Sequence, residues 1–401
     1  MQYTDEQQDV AAARSPRLLV KALAGTGKTE TVALRIASLI DGGTQPEAIQ
    51  TLCFTRSARD QLRKRLDSKQ LQAVSVNTVH SMAWMVLSRW CEDNGRDMPR
   101  VTTCEKYAKR ALTALGISPS DSIVNGVQRL SNAQWNGSFD GVVLTQMAAE
   151  ELLAAVELYR HLKRESNSYD FDDLVALAGK VAPKTCEEVI VDEAQDLSAL
   201  QIRLVEGMTH ERMTWVGDAN QAIFAFAGVD GGMFDRLDGW QQLTLSRSFR
   251  STEEILEVAN QVASDPLHSG NHGGTVTVAQ VAYEDVAAHV VERTPSGSHA
   301  VIGRTRTGLE RIAEALEDAG KIVQRAWVEA VSEADVTVST VHKAKGGEWV
   351  TVTVVDLTAD GFAGCEVTDE EERLFYVAVT RARQELHLIT LDGGLPWKVR
   401  I

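Results

Sequence analysis

The sequence predicts an α/β protein with two parallel sheets flanked by helices, the first of which is interrupted by a helical insertion. Three observations lead to this prediction. Short apolar runs alternate with amphipathic helical stretches, a glycine-rich turn joins the first run to the first helix, and one long segment is strongly helical. A chain of 401 residues, 44% of them hydrophobic, is long enough for two to three domains.

The first region opens with a strand, a turn and a helix. Residues 18–22 are mostly apolar, Gly25 and Gly27 follow, and the apolar positions from Val32 to Ile40 repeat at helical spacing. Further strands of this region are predicted at residues 51–55, 188–192 and 213–217. Residues 80–164 are strongly helical, with helices predicted at 105–115 and 144–163.

A second α/β region begins near Leu243. Its predicted strands are 275–281, 300–304, 336–340, 350–355 and 385–390, and its predicted helices are 251–263, 308–319 and 370–382. The expected domains are therefore a first lobe of residues 1–79 and 165–242, a helical insertion of residues 80–164, and a second lobe of residues 243–401.

Composition narrows the possible functions. The formal net charge of −15 argues against coating of nucleic acid by bulk electrostatics, although it permits a localised basic groove. The five cysteines include no Cys-x-x-Cys pair, so neither a disulfide framework nor a zinc site is expected. No apolar run is as long as a membrane span and the N-terminus lacks secretory features, so a cytoplasmic location is the default expectation.

An apolar run that ends in two acidic residues predicts a magnesium-dependent ATPase. Residues 189–191 are followed by Asp192 and Glu193. An Asp at a strand end can hold Mg²⁺ through its waters, and an adjacent carboxylate can accept a proton from the water that attacks a γ-phosphate. Taken alone, the pair is equally compatible with a charged strand end that enters a loop.

The glycine-rich turn after the first strand predicts a phosphate-binding loop. Residues 22–29 read Ala-Leu-Ala-Gly-Thr-Gly-Lys-Thr, which fits such a loop except that Ala22 stands at the usual first glycine. Backbone N–H groups and the helix N-terminus would bind phosphate, Lys28 would reach the outer phosphates, and the Thr29 hydroxyl would ligate Mg²⁺. The alternative is a glycine-rich turn with an exposed lysine. Together with the acidic pair, the loop predicts one site for ATP and Mg²⁺.

With these motifs, the chain resembles the UvrD/Rep family of superfamily 1 DNA helicases. The resemblance runs in order from Tyr3 to Arg383. Besides the two motifs above, it is carried by residues 3–7, 51–58, 77–81, 170–174, 216–228, 245–251, 338–349 and 371–383. The resemblance implies two RecA-like lobes and an ATP-driven motor that moves 3′ to 5′ on single-stranded DNA.

The resemblance implies nucleotide contacts from both lobes, with hydrolysis on closure of the cleft between them. The catalytic set would be Lys28, Asp192, Glu193, the γ-phosphate sensor Gln221 and the arginine fingers Arg250 and Arg381. Thr29 and Asp192 would hold Mg²⁺. The nucleotide would contact Gln7, Ala24, Gly25, Thr26, Gly27, Lys28, Thr29, Phe249, Gly346 and Glu348.

The resemblance also implies a path for DNA. The residues that would contact it are Phe54, Thr55, Arg56, Thr78, His80, Phe224, Phe226, Thr340 and His342. For Phe224, a core position and a base-stacking position fit the sequence equally, whereas the family position of Phe226 favours stacking. The basic residues from Arg56 to Arg65 fit either a solvated helix face or a binding surface.

Three departures from the family pattern bear on function. Glu30 stands where the family usually has an arginine that contacts adenine, which would leave base selectivity to Gln7 and Phe249. Ala219 and Asn220 replace an acidic pair. Residues 305–337 stand where the family typically inserts a large accessory domain, so the chain resembles a motor without that domain.

The leading hypothesis is an ATP-dependent translocase or helicase that acts on single-stranded DNA, including 3′-tailed duplexes, with a protein partner or a second copy assisting unwinding. A nucleic-acid clamp or switch that hydrolyses ATP without moving fits the same motifs. An unrelated P-loop kinase or transporter ATPase does not, because it gives the second-lobe motifs no role. Phosphate gripping and base stacking fit DNA and RNA alike, and no motif names a pathway in replication or repair.

Overall fold

The computed structural model describes residues 3–136, 149–183, 186–224, 229, 234, 237–294, 297–328, 334–365, 368–396 and 399–400. The chain divides into two compact units. Unit 1 comprises Met1–Lys21, Lys28–Gly217 and Phe224–Leu243, and unit 2 comprises Ala22–Gly27, Asp218–Ile223 and Thr244–Ile401. No helix in the described ranges combines the length and the apolar character that a membrane span needs.

Strands and helices alternate along most of the chain. The strands are β1 Arg17–Ala22, β2 Ile49–Cys53, β3 Ser75–Thr78, β4 Arg100–Val101, β5 Ser168–Tyr169, β6 Cys186–Asp192, β7 Thr209–Gly217, β8 Gln241–Leu245, β9 Arg247–Ser248, β10 His268–Ser269, β11 Thr275–Gln280, β12 His299–Gly303, β13 Val323–Arg325, β14 Val336–Thr340, β15 Trp349–Thr358, β16 Gly361–Phe362 and β17 Ala382–Thr390. The helices are α1 Asp5–Ala12, α2 Lys28–Asp41, α3 Arg56–Asp67, α4 Val79–Asp93, α5 Glu105–Ala114, α6 Asp121–Asn136, α7 Ala149–Glu165, α8 Phe171–Val181, α9 Ala199–Met208, α10 Glu253–Ala259, α11 Val286–Arg293, α12 Arg306–Asp318, α13 Val341–Ala344 and α14 Asp369–Val379.

The first sheet has the strand order β3-β2-β6-β7-β1-β8 in the described chain. Its pairs β3–β2, β2–β6, β6–β7 and β7–β1 are parallel. The central strands are buried along their length, which explains their continuous apolar runs. Val216 of β7 pairs with both Val20 of β1 and Asp192 of β6. The acidic pair therefore lies at the same edge of the sheet as the end of β1.

The helical insertion of unit 1 has its own apolar core. Helices α5, α6 and α7 bury side chains that include Tyr107, Leu112 and Val127. The chain returns to the sheet through α8, where Lys163 forms ion pairs with both Asp170 and Asp173. Part of the helix predicted at residues 144–163 lies outside the described residues, and the rest coincides with α7.

Unit 2 contains the second sheet, with the order β11-β17-β15-β12-β14-β13 and with β16 antiparallel to β15. The other pairs are parallel. One face packs on α11 and α12 through a core that includes Val290, Leu309 and Val338. The two sheets confirm the predicted fold class of parallel sheets flanked by helices, as expected for two RecA-like lobes.

Two predicted helices of unit 2 are too long. The helix predicted at 370–382 ends at Val379, because the Thr380 hydroxyl donates to the carbonyls of Tyr376 and Val377 and caps the last turn. The helix predicted at 251–263 ends at Ala259, and the next side chain, Asn260, forms two hydrogen bonds with the backbone of a loop residue.

The strand β8 was not predicted, and the boundary predicted between residues 242 and 243 falls within it. It lies at the end of the strand order of the first sheet and is largely exposed. An exposed strand at a sheet edge needs no apolar run, so the sequence carries little signal for it.

Acidification should destabilise the fold through His299. This side chain is 1% exposed between β12 and β15, and burial lowers the pKa of its imidazole from 6.5 to about 4. Between pH 6.5 and pH 4, His299 is protonated in the unfolded chain but stays neutral in the folded chain. With respect to this group, the folded state is therefore fully stable above pH 6.5 and loses unfolding free energy as the pH falls towards 4. We expect a loss of about 2 kcal/mol at pH 5 from this group.

Urea unfolding at pH 7.5 and at pH 5.0 measures this effect. The His299→Gln variant should lose less unfolding free energy than the wild type between the two pH values, because glutamine does not titrate. An equal loss in both proteins would show that burial of His299 does not control this dependence.

Candidate active site

Lys28, the lysine of the predicted phosphate loop, is the first residue of α2 and lies in unit 1. The first N–H groups of a helix have no partner within the helix and can bind phosphate. Lys28 Nζ lies 2.8 Å from Glu193 Oε1, and both side chains are largely buried. The structure thus brings together two of the predicted catalytic residues, from the loop motif and from the acidic motif.

Asp192 is the last residue of β6 and is 3% exposed. Burial, and then the nearby Glu193 carboxylate, raise the pKa of Asp192 well above its usual range, while Lys28 acts in the opposite direction. A buried carboxylate with a raised pKa gains from a divalent cation. Thr29 is partly exposed in the first turn of α2, so one hydroxyl and one carboxylate of unit 1 fit the few protein ligands that Mg²⁺ needs beside phosphates and water.

Glu193 has a backbone conformation that side chains rarely adopt. Its φ is +56°, in the left-handed region, directly after β6. Gln195 Nε2 donates to Glu193 Oε2 at 2.5 Å, and a side chain at Gly217 would collide with Gln195 and Phe234. The carboxylate orientation is therefore fixed by a strained residue and by close packing around it.

In unit 2, the turn Ala22–Gly27 lies beside the predicted arginine finger Arg250. A Cβ added to Gly25 would lie 2.7 Å from Arg250 Cβ and 2.6 Å from Ser248 Oγ. Gly25 also has φ +76°, and its carbonyl accepts a hydrogen bond from Phe249 N–H at 2.9 Å. Both the backbone conformation and the contact with Arg250 therefore require glycine at position 25.

A buried polar network in unit 2 links four residues of the later motifs to the same turn. Asp218 Oδ2 accepts hydrogen bonds from Gln221 Nε2 at 2.7 Å and from the Tyr376 hydroxyl at 3.1 Å. The Tyr376 oxygen in turn accepts from Ala24 N–H at 3.3 Å. Arg381 Nη2 lies 3.4 Å from Gln221 Oε1. The predicted sensor and the predicted second arginine finger are therefore in contact.

The remaining unit 2 candidates surround the two arginines. Arg250 pairs with Glu348 at 2.8 Å, and Arg381, 1% exposed, donates to the Gly347 carbonyl. Gly346 has φ +89°. Phe249 is 49% exposed, so part of its ring is accessible to a planar ligand, and the Arg247 guanidinium lies over the ring, 5.6 Å from its centre.

The predicted adenine-reading residue Gln7 caps its own helix. Its side-chain oxygen accepts from Thr4 N–H, and the Thr4 hydroxyl accepts from Gln7 N–H. Nearby in unit 1, Glu30 pairs with Arg65 at 2.8 Å and with Lys69 at 2.9 Å. The charge reversal at Glu30 is therefore compensated by two basic side chains of α3 and the turn that follows it.

The predicted DNA contacts of unit 1 occur at the starts of helices that follow strands. Phe54 stacks on Phe224 with ring centres 5.7 Å apart, and Arg56 is exposed at the start of α3. The Thr55 and Thr78 hydroxyls cap α3 and α4. His80 packs edge-on against Phe171, which is 48% exposed, and burial lowers the His80 pKa.

In unit 2, Thr340 is the residue before α13 and His342 lies within it. Burial, together with the charges of Arg304 and Lys345, lowers the pKa of His342 to about 4, so its imidazole is neutral at pH 7. Phe226 lies outside the described residues.

Two residues of this site were not predicted from the sequence. Asp218 directly follows β7, which repeats the pattern of an acidic residue after a buried strand. Tyr376 lies in the apolar run of α14, where nothing distinguishes it from a core residue. Only its contacts with Ala24 and Asp218 separate it from its neighbours.

Comparison with known proteins gives a consistent result. Residues 3–239 match a family model described as the UvrD/REP helicase N-terminal domain, and residues 309–393 match one described as the UvrD-like helicase C-terminal domain. The chain is 25% identical to a probable DNA helicase of Mycoplasma pneumoniae, over 98% of this chain and 84% of that protein.

Other relatives are longer than this chain. It is 27% identical to the ATP-dependent DNA helicase UvrD2 of Mycobacterium tuberculosis, over 79% of this chain and 54% of that protein. It is 26% identical to the ATP-dependent DNA helicase PcrA of Leuconostoc citreum, over 64% of this chain and 38% of that protein. The chain thus spans about half or less of these two relatives. Because the N-terminal family model covers more than half of the sequence, the chain belongs to the UvrD/Rep helicase family.

Proposed function

We propose that this chain is an ATP-dependent translocase on single-stranded DNA, which moves 3′ to 5′ and unwinds duplexes that carry a 3′ tail. The observation that carries the proposal is the arrangement of Lys28, Asp192 and Glu193 in unit 1, because it supplies a phosphate-binding cation, a metal-binding carboxylate and a base. Family membership and the names of the relatives support DNA as the track.

Unit 1 would bind the nucleotide and its metal. Thr29 and Asp192 would hold Mg²⁺, which supplies charge neutralisation at the β- and γ-phosphates when bound. Glu193 would orient the attacking water and accept its proton. A γ-phosphate would compete with Glu193 for Lys28 and so free the carboxylate for the water.

Unit 2 would stabilise the charge that develops on the phosphoryl group. Arg250 is held beside Gly25 by its own backbone and by Glu348, and Arg381 is held by contacts to backbone carbonyls. An arginine fixed in advance loses little entropy when it binds a phosphate. Gln221 contacts Arg381, so the loss of the γ-phosphate on hydrolysis would affect the positions of both side chains.

For the DNA track, we propose that the stacked pair Phe54 and Phe224, the imidazoles of His80 and His342, and the exposed Arg56 contact the strand. Stacking of a base on an aromatic ring contributes about 1–3 kcal/mol without sequence preference. The neutral imidazoles can stack on bases or accept hydrogen bonds from them.

The ATPase rate with and without DNA tests the proposed function. Turnover should rise at least about tenfold when a single-stranded oligonucleotide is added, because the motor couples strand binding to hydrolysis. Duplex DNA and single-stranded RNA serve as comparisons. A rate that no nucleic acid changes would contradict the proposal.

Translocation is tested separately by displacement of streptavidin from a biotinylated DNA end. We expect displacement from one end only. DNA-stimulated hydrolysis without displacement would instead indicate an ATP-gated clamp. Because the described part of residues 305–337 contains only α12, β13 and the start of β14, we further propose that unwinding needs a partner or a second copy. Processive strand displacement by monomers would contradict this part.

Tyr376→Phe should lower DNA-stimulated turnover while leaving the fold intact. The side chain is fully buried, and the substitution removes only the hydroxyl that joins Ala24 N–H to Asp218. Gln221 would then be held by a less constrained carboxylate, so we expect kcat to fall about tenfold with little change in KM for ATP.

The matched control is Tyr159→Phe. It removes an equally buried hydroxyl, which donates to Asp170 at the start of α8, and none of its contacts with the described residues is with a proposed catalytic residue. Both variants should lose similar unfolding free energy, and only Tyr376→Phe should lose turnover. Equal turnover in the two variants would show that Tyr376 has only a structural role.

A further inference from the structure

The strand β11 forms one end of the second sheet and differs from two other sheet edges of this protein, those at β13 and β3. In the described chain it pairs with β17 alone, through six parallel register positions. The outward backbone groups of such a strand are free to pair with another chain, and natural proteins usually block them with charges, proline, short length or a covering segment.

Two other edges in this protein are blocked in these ways. At the opposite end of the same sheet, β13 has only three residues and carries Arg325, which pairs with Glu310 and Glu317. At the edge strand β3 of the first sheet, the Arg63 guanidinium donates to the Val74 and Val76 carbonyls. The protein therefore covers or shortens these edges.

The edge at β11 has none of these features. Its sequence, Thr-Val-Thr-Val-Ala-Gln, has high strand propensity and contains neither a charge nor a proline. Its residues are exposed or partly exposed, and Val278 is 41% exposed. Among the described residues, none forms a hydrogen bond to the outward backbone groups of β11. An unblocked edge of this length is a template for strand addition.

A cavity of about 350 Å³ lies directly beside this edge. Its walls are β11, β17, Thr353 of β15 and the last turns of α11, with apolar side chains such as Val290 and Ile389. Side chains of a strand added to β11 would alternate between the two faces of the sheet, so every second one would face α11 and this cavity.

The charged and polar groups of the cavity identify the side chain that it would accept. Arg293 Nη1 donates to His289 Nε2 at 3.1 Å, so this imidazole nitrogen accepts the hydrogen bond with its lone pair and the ring is neutral. Burial and the Arg293 charge lower the pKa of His289, and burial lowers that of His387. The guanidinium is therefore the permanent charge of the lining, with no acidic side chain among the lining residues.

Two acidic side chains close to these residues, Glu385 and Glu292, lie outside the cavity lining. Glu385 Oε2 is 4.0 Å from His387 Nε2, and the Glu385 carboxylate also accepts a hydrogen bond from Thr351. Glu292 is exposed next to Arg293 in sequence. Arg293 uses one N–H on His289, which leaves its other donors for a carboxylate.

We propose that β11 is a docking edge for an extended peptide of a partner protein, which adds a strand to the second sheet and places an Asp or Glu side chain against Arg293. Backbone hydrogen bonds to β11 would supply much of the affinity, and the cavity would supply the preference for an acidic residue. This interaction is independent of the proposed motor activity.

Selection from a phage-displayed random octapeptide library tests the proposal. Against the full chain, we expect enrichment of peptides that carry Asp or Glu at one fixed position among β-branched residues. The strongest synthetic peptide should bind about tenfold more weakly to Arg293→Ala, which loses one charge-assisted contact. Arg306→Ala, which removes an exposed guanidinium away from the cavity, should bind like the wild type.

Hydrogen exchange locates the bound peptide. Binding should protect backbone amides within residues 275–280, and ATPase activity should be the same in both variants. Any of three results would overturn the proposal. The selected peptides could lack a fixed acidic position, the protected amides could lie outside residues 275–280, or Arg293→Ala could bind the peptide as tightly as the wild type. Protection of the same amides that rises with chain concentration in the absence of peptide would also overturn it, since the occupant would then be a second copy.

Discussion

Lys28→Ala should abolish DNA-stimulated ATP hydrolysis while the chain remains folded. In the proposed mechanism the ammonium group is the cation of the phosphate loop, and the loss of one fixed charge from a phosphoryl-transfer site lowers turnover by at least about a hundredfold. Its ion pair with Glu193 is mostly buried, so the substitution leaves the carboxylate without its charged partner, and we expect a loss of about 3 kcal/mol of unfolding free energy.

The measurement is the steady-state ATPase rate at saturating DNA, together with thermal unfolding of the same preparation. Lys109→Ala is the control, because it also removes one lysine from an ion pair, with Glu105 on the surface of α5. The control should keep wild-type turnover. A Lys28→Ala protein that retains a tenth or more of wild-type turnover would contradict the assignment of the site.

Arg381→Lys should lower kcat by about a thousandfold, because a lysine keeps the charge but loses the planar set of donors that an arginine finger presents to the phosphoryl group. The side chain is 1% exposed and donates to the backbone carbonyls of Val377 and Gly347. The substitution should therefore also cost about 2 kcal/mol of unfolding free energy.

A second buried arginine separates the two effects. Arg35 has no exposed surface, pairs with Glu188, and donates to the carbonyls of Val10 and Ala13. Arg35→Lys should be destabilised to a similar extent but should keep its kcat when the rate is expressed per folded molecule. Similar turnover in the two variants would show that Arg381 acts on the fold alone.

The sequence was sufficient to predict the class of the fold. Buried parallel strands need continuous apolar runs, so the central strands β1, β2, β6 and β7 were predicted within a few residues. The edge strand β8 was missed because an exposed edge needs no such run. The last turns of α10 and α14 were misjudged because side-chain contacts, rather than helix propensity, end them.

In the candidate site, too, some residues are indicated by the local sequence, whereas some contacts are seen only in the tertiary structure. Lys28, Asp192 and Glu193 carry a local pattern of strand, turn and helix that chemistry can interpret without coordinates. The contact between Gln221 and Arg381 has no such pattern, because it joins motifs that are far apart in the sequence.

The sequence by itself determined the two parallel sheets, the phosphate loop and the acidic pair, because each depends on neighbouring residues and on periodicity. Tertiary structure alone decided the strained backbone of Glu193, the role of Tyr376 between Ala24 and Asp218, and the unblocked edge at β11. These features depend on which distant segments meet and which remain uncovered. Packing of the whole chain fixes such contacts, and a local pattern does not encode them.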